Sequence, residues 1–197
     1  VADQPSDRRA ETRVPLHPPI ADRWSPRAFD PAAEISDEQL IALLEAARWA
    51  ATWGNRQPVR FVVGRRDDPM FETLSGLLRR GNSYAKAAAA LILLCADEGE
   101  DDRTALYAAV DAGAAAANLA IEAVARGLIA HPMAGFDVEA APSVLNLPAG
   151  VQPLIMVAVG ILGDYRQLPP EILERDARPR ERLALEDVVL NWSGTGV

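Results

Sequence analysis

The chain has 197 residues, 49% of them apolar, and its 28 acidic against 20 basic side chains give a net charge of −8. That length suits one compact domain with its own core. A field of that sign repels phosphate backbones and anionic headgroups, so nucleic acid and membrane surfaces are disfavoured as partners. A phosphate-bearing ligand would need a local basic cluster working against it. Cys95 is the single cysteine and lies in the apolar run Leu91 to Ala96, where it reads as a small buried hydrophobe. With no internal disulfide possible, and no apolar signal segment within Val1 to Arg13, the expected location is the cytoplasm.

Residues 1–20 carry prolines at 5, 15, 18 and 19 and are expected to form an extended or flexible arm, with 21–197 as one domain. Pro26 keeps the segment Arg23 to Phe29 out of regular helix. Ser36-Asp37-Glu38-Gln39 has the pattern of a capping box, opening a helix with Leu40, Ile41, Leu43, Leu44 and Ala47 at helical spacing. The helix should end in the turn at Trp53-Gly54-Asn55, before Pro58. Val59 to Gly64 reads as a strand, Pro69 to Arg80 as an amphipathic helix, and Ala90 to Ala96 as a strand buried on both faces. Thr104 to Arg126 is the longest helix. It holds the closest match to a membrane span, Ala108 to Ala125, but Asp111 and Glu122 among alanines mark it as a helix buried in protein. Its section Asp111 to Asn118 is made of small residues, which would let another helix approach closely. Leu128 to Met133 and Pro153 to Ile161 supply further strands, and Phe136 to Leu145 reads as a helix capped near Asp137. From Tyr165 the chain is rich in proline and charge until Leu185 to Leu190, an apolar piece suited to packing on a neighbouring chain. Interleaved strands and helices place the fold in the α+β class, as mixed α/β layers.

Several chemistries are missing. His17, His131 and Cys95 offer no zinc-ligand spacing, and there is no G-x-S-x-G, P-loop or G-x-G-x-x-G motif. Enzymatic chemistry would therefore come from a bound cofactor. Arg23, Ser25 and Arg27 alternate, so an extended segment would project two guanidinium groups and a hydroxyl the same way, a set suited to a phosphomonoester. Arg180 and Arg182 repeat the spacing near the C-terminus. Both pairs are also compatible with a solvated charged loop. Thr52-Trp53-Gly54-Asn55-Arg56-Gln57-Pro58 places two carboxamides two residues apart; these match a uracil-like edge, and equally suit a left-handed turn. His131-Pro132-Met133-Ala134-Gly135-Phe136-Asp137 is a small-residue turn that could present backbone N–H groups to a flat ligand, or simply connect a strand to a helix.

The order of these pieces resembles the nitroreductase family. The likeness runs through Arg23-x-Ser25-x-Arg27-Ala28-Phe29, Gly54-Asn55-x-Gln57-Pro58, Gly81-Asn82, Ala116-Ala117-Asn118-Leu119, Gly127-Leu128, Gly135-Phe136-Asp137, Val157-Ala158-Val159-Gly160, and Arg182 before Leu185-Glu186-Asp187-Val188. The resemblance implies a central mixed β-sheet flanked by helices, with terminal segments exchanged in a homodimer and FMN at the dimer interface. It implies that Arg23, Trp24, Ser25 and Arg27 hold the phosphate and ribityl groups, with Arg180 and Arg182 closing over the phosphate. Asn82, with Lys86 beside it, would meet the pyrimidine edge, and Thr52, Trp53, Gly54, Asn55 and Gln57 would come from the partner. Pro132, Met133, Ala134 and Gly135 would pass behind the ring.

The activity so implied is NADH- or NADPH-driven reduction of nitroaromatic, quinone or similar small acceptors by ping-pong hydride transfer through FMN N5. No side chain need act as acid or base. Family members often carry Pro-Ser at Ala51-Thr52 and Trp at Val59, while Trp53 and Ala134 also depart from the pattern. These positions line the substrate face and leave two alternatives open: a flavin-dependent dehydrogenase or oxidase of a specialised metabolite, and a non-catalytic flavin-binding protein.

Overall fold

A computed structural model describes residues 8–191; the ends of the expected N-terminal arm and C-terminal tail lie outside the described residues. The elements in chain order are α1 (Pro18–Asp22), α2 (Asp37–Arg48), β1 (Val59–Arg65), α3 (Pro69–Leu77), β2 (Ala90–Asp97), α4 (Asp102–Ala125), β3 (Ile129–Met133), α5 (Ala141–Val144), β4 (Val151–Gly160), α6 (Pro170–Ala177) and α7 (Leu185–Val188). Short 3-10 turns occupy Trp53–Asn55, Arg80–Ala87 and Tyr165–Gln167.

The four strands form a sheet in the order β1-β2-β4-β3. All three pairings are antiparallel, with Val63 opposite Ile92, Leu91 opposite Ala158, and Ala130 opposite Val159. The fold is α+β as expected, but the sheet among the described residues is antiparallel where the resemblance implied a mixed one. β2 is paired on both sides and buried from Ala90 to Ala96, which is why its sequence is apolar without alternation. Its even-numbered and odd-numbered residues still serve different cores, because successive side chains point to opposite faces. Ile92 and Leu94 pack with Leu43, Leu119, Val157 and Val159 under α2 and α4. Leu91 and Leu93 pack with Phe71, Leu74, Phe136 and Met156 on the other side.

Local signals account for the helix starts. Ser36 accepts from Gln39 N–H at 3.1 Å while the Gln39 side chain accepts from Ser36 N–H at 2.9 Å, completing the expected capping box of α2. Asp101 caps α4 by accepting from Thr104 N–H at 2.8 Å. α4 has the length and mean hydropathy (1.3) of a membrane span, but it buries Ala108, Ala112, Ala115, Ala116, Ala120 and Ala123 within the protein. Asn118 ties it to α2 by donating to Ala46 O at 3.1 Å. α3 lies so close to β1 that a Cβ added at Gly64 would stand 2.4 Å from Phe71 N and 2.6 Å from Phe71 Cα.

Three expectations are corrected. The helix expected over Pro69 to Arg80 ends at Leu77, because Leu78 turns extended and pairs with Phe136. The helix expected over Phe136 to Leu145 shrinks to α5 for the same reason. Phe136 is fully buried, Asp137 N–H donates to Leu77 O at 2.8 Å, and the Asp137 side chain caps only a turn at Ala140 N–H. The first helix, expected to end in the turn at Trp53-Gly54-Asn55, stops at Arg48, and that turn forms a separate 3-10 segment.

Candidate functional site

The segment Arg23 to Phe29 is anchored at its end. Phe29 is buried and bridges Leu162, Asp30 N–H donates to Ile161 O at 2.9 Å, and Gly163 N–H donates to Ala28 O at 2.9 Å. Upstream of that anchor, the Arg23 guanidinium is half-buried and donates to Ser25 Oγ at 3.3 Å. Arg180 arrives from the other end of the chain and donates to Ala21 O at 3.1 Å, Arg23 O at 2.9 Å and Arg8 O. Burial, then the neighbouring Arg180 and Arg182, pull the Arg23 pKa down; burial, Arg182 and Arg8 do the same to Arg180. Trp24 lies beneath Arg8, whose guanidinium is 4.8 Å from the ring centre.

None of Arg23, Arg180 and Arg182 has a carboxylate within ion-pair distance among the described residues. Arg180 also feels Asp22, which pairs with Arg9 at 3.6 Å, but the three guanidinium groups outnumber it and form a local basic cluster in a chain of net charge −8. Arg27 is different. Its guanidinium pairs with Asp176 at 2.8 Å and its backbone N–H donates to the same carboxylate at 2.7 Å. The alternation of Arg23 and Arg27 therefore does not yield two free guanidinium groups.

Asn82 and Gly135, 53 residues apart, meet directly. Asn82 Nδ2 donates to Gly135 O at 3.0 Å, and Arg79 N–H donates to the same carbonyl at 3.0 Å. A Cβ on Gly135 would stand 2.4 Å from Asn82 Nδ2, so glycine is what permits the contact. Asn82 Oδ1 lies 3.2 Å from the Tyr84 hydroxyl, which also lies 3.0 Å from His131 Nε2. His131 Nδ1 faces Pro26 O at 2.9 Å. A carbonyl only accepts, so Nδ1 carries the hydrogen, and in the neutral ring Nε2 must accept from Tyr84. Tyr84 has one proton for two acceptors, and His131 is the nearer. Asn82 Oδ1 is thereby left able to accept from a ligand N–H. Lys86, at the end of the same turn, is exposed.

The loop after α2 stands against the N-terminal half of α4. Trp53 stacks on Tyr107 with ring centres 4.8 Å apart, and the guanidinium groups of Arg103 and Arg56 lie 5.2 Å and 6.0 Å from its ring. Trp53 N–H donates to the buried Asp111 carboxylate at 3.1 Å. Gly54, Asn55 and Gln57 all have positive φ, and Gln57 Nε2 donates to Asn55 Oδ1 at 3.1 Å. Thr52 is half-buried; Gly54, Asn55 and Gln57 are exposed. No hydrogen bond or ring contact joins this loop to Arg23, Asn82 or Arg180 of the same chain among the described residues. Pro132 does reach Arg23: both line a cavity of about 340 Å³ with Ile20 and the small residues Gly113, Ala116, Ala117 and Ala120. Met133 is buried in the core with Phe136 and Met156, and Ala134 is exposed.

Sequence reasoning overlooked Tyr84, Arg175, Asp176 and Tyr165. Tyr84 was recoverable from its place two residues after Asn82; the carboxylate of Asp176 is joined to Arg27 only by folding.

Burial pushes the His131 pKa from its ordinary 6.5 down to about 4, outweighing the Pro26 carbonyl that favours the charged ring. The folded state therefore binds this proton more weakly than the unfolded chain does. His131 contributes stability that is fully present above pH about 6.5 and lost as pH falls toward about 4. The loss should reach about 3 kcal/mol on full titration, measured by urea unfolding across that range. A His131→Gln variant should show a flatter acid limb, and an unchanged limb would show that His131 is not the group responsible.

The family model described as Nitroreductase family matches residues 20–91 and 69–161. A crystal structure of an oxidoreductase containing FMN is 33% identical, with a TM-score of 0.83 over 93% of this chain and 94% of that one. A nitroreductase-type protein in complex with FMN from Desulfovibrio desulfuricans is 26% identical, with a TM-score of 0.72 over 90% of this chain and 98% of that one. Among curated relatives, an "uncharacterized 15.4 kDa protein in ask 5′region" of Mycolicibacterium smegmatis is 65% identical over 66% of this chain and 93% of its own length. The major NAD(P)H-flavin oxidoreductase of Aliivibrio fischeri is 32% identical over 39% of this chain, a match spanning 38% of that enzyme.

Proposed function

This chain belongs to the nitroreductase family, and from that premise we propose that it is an FMN-dependent oxidoreductase driven by NADH or NADPH, reducing a small nitroaromatic, quinone or similar acceptor. The observation that carries the reading is the cluster of Arg23, Arg180 and Arg182, none in a carboxylate ion pair among the described residues, whose member Arg23 shares a cavity with Pro132 and the small residues of α4. Arg23, Ser25, Arg180 and Arg182 would hold the phosphate. Trp24 would flank that end, and Arg27, neutralised by Asp176, would shape the pocket rather than supply charge. Asn82 Oδ1 would accept from the imide N–H of the flavin edge, with Lys86 at the rim. Pro132, Met133, Ala134 and Gly135 would back the ring.

Bound FMN would supply two-electron chemistry at N5, taking hydride from the reduced nicotinamide and giving it to the acceptor on the same face. The chain positions the ring, excludes water and needs no acid or base of its own. A homodimer would complete the site. Its support is the exposed stripe of α4, where Leu106 and Val110 are 62% and 57% exposed, together with the exposed Leu185 and Val188 of α7. The loop of Thr52, Trp53, Gly54, Asn55 and Gln57, which makes no contact with its own chain's Arg23 or Asn82, would then serve the partner's flavin.

Purified protein should be yellow, and anaerobic addition of NADH or NADPH should bleach it in a single fast phase before acceptor is added. Colourless protein that takes up no FMN on incubation and desalting, or a bound flavin that neither nucleotide bleaches, would refute the assignment.

A further inference from the structure

α6 is anchored in an uncommon way: its only buried residue is a carboxylate, Asp176, at 1% exposure. That carboxylate accepts from Arg27 N–H at 2.7 Å, from the Arg27 guanidinium at 2.8 Å and from the Tyr165 hydroxyl at 3.0 Å. The preceding residue, Arg175, donates to Gly81 O at 3.0 Å, one position before Asn82. Just beyond the helix, Arg180 donates to Ala21 O and Arg23 O. One short helix thus ties the Arg23 to Arg27 segment, the Asn82 turn and Arg180 together, and the ion pair is its one fully buried anchor, with Ile172 and Leu173 half-buried.

Arg23 and Arg180 repel each other, so nothing in their own charges brings them side by side. We propose that Asp176 is a positioning residue for phosphate recognition: by clamping α6 to Arg27 it sets Arg180 beside Arg23, and a ligand's phosphate draws the same segment shut. This rests on the FMN reading given above. The repulsion between the two guanidinium groups makes the clamp and the phosphate act together. The clamp lowers the cost of gathering the charges before the anion arrives, and the anion offsets that repulsion once bound. Removing one partner of a buried charge pair strongly destabilises the arrangement it holds, so phosphate contacts that depend on that arrangement should weaken by tens-fold.

The test compares FMN with riboflavin, which lacks the phosphate, by flavin fluorescence titration of the full chain. Asp176→Asn should weaken FMN by about 30-fold and riboflavin by less than about 3-fold. Arg180→Ala should behave alike, and the Asp176→Asn/Arg180→Ala double variant should be little weaker than the worse single one. Equal losses for both flavins, undiminished FMN binding, or fully additive losses would each overturn the proposal. Should Asp176→Asn fail to fold, hydrogen exchange on the wild-type chain decides. FMN should protect residues 170–182 far more than riboflavin does, and equal protection counts against the clamp. Wild-type protein that takes no FMN at all sinks the functional reading first, an outcome distinct from wild-type selectivity that survives in the variant.

Discussion

Replacing Arg23 and Arg180 together by alanine is expected to raise the Kd for FMN by about 1000-fold while shifting that for riboflavin by about 3-fold or less. A hydrogen bond to a charged group contributes about 1.5–3 kcal/mol, so two such donors amount to roughly three decades of affinity. The selectivity of the loss is the diagnostic part. Arg180 also donates to Ala21 O and Arg23 O, so its removal leaves carbonyls with fewer donors and costs some stability. That general cost falls on both flavins, whereas loss of phosphate contacts falls on FMN alone. Arg180→Lys keeps the charge without the planar fork and should lie between wild type and alanine. Isothermal titration of the double variant settles the matter, and FMN held as tightly as before would place the phosphate elsewhere.

The largest effect on stability is expected at Gly64. A methyl group there would meet Phe71 N at 2.4 Å, Phe71 Cα at 2.6 Å and Met70 C at 2.8 Å. These are backbone atoms at the start of α3 and cannot rotate away, so the helix must move off β1. Phe71, Leu74 and Leu77 would be drawn away from the apolar layer they form with Leu91, Leu93 and Phe136. Gly64→Ala should cost about 3 kcal/mol or more, a fall of roughly 6–12 °C in melting temperature for a chain of this size. Gly76→Ala is the matched control, lying in the same helix with nothing within 4 Å of its added methyl. It should be neutral or slightly stabilising, because alanine is the better helix former. Equal melting temperatures for the two variants would mean that the contact between α3 and β1 is looser than described.

What was legible in the sequence was local. The Ser36 capping box needs only four consecutive residues to specify it, and the apolar run of β2 follows from its central place in the sheet. The end of α3 and the brevity of α5 were not legible, because one distant contact decides both. Phe136 reaches the core beside Leu78, and that burial overrides the helical pattern on either side. The candidate site divides in the same way. The spacing of Arg23 and Ser25 predicted their proximity, and Gly135 with Asn82 emerged as motifs whose contact only the fold makes. The expected equivalence of Arg23 and Arg27 failed to allow for Asp176, a residue in a stretch that reads as charged tail and is joined to Arg27 across 149 positions.

The arginine cradle also has a kinetic side. A dianionic ligand approaching this chain first meets the far field of an acidic molecule, which slows encounter, and only within a few ångströms does it meet Arg23, Arg180 and Arg182. Added salt screens the distant repulsion more than the partly buried contacts. Rising ionic strength should therefore speed association while it hastens release, leaving equilibrium affinity less sensitive to salt than either rate.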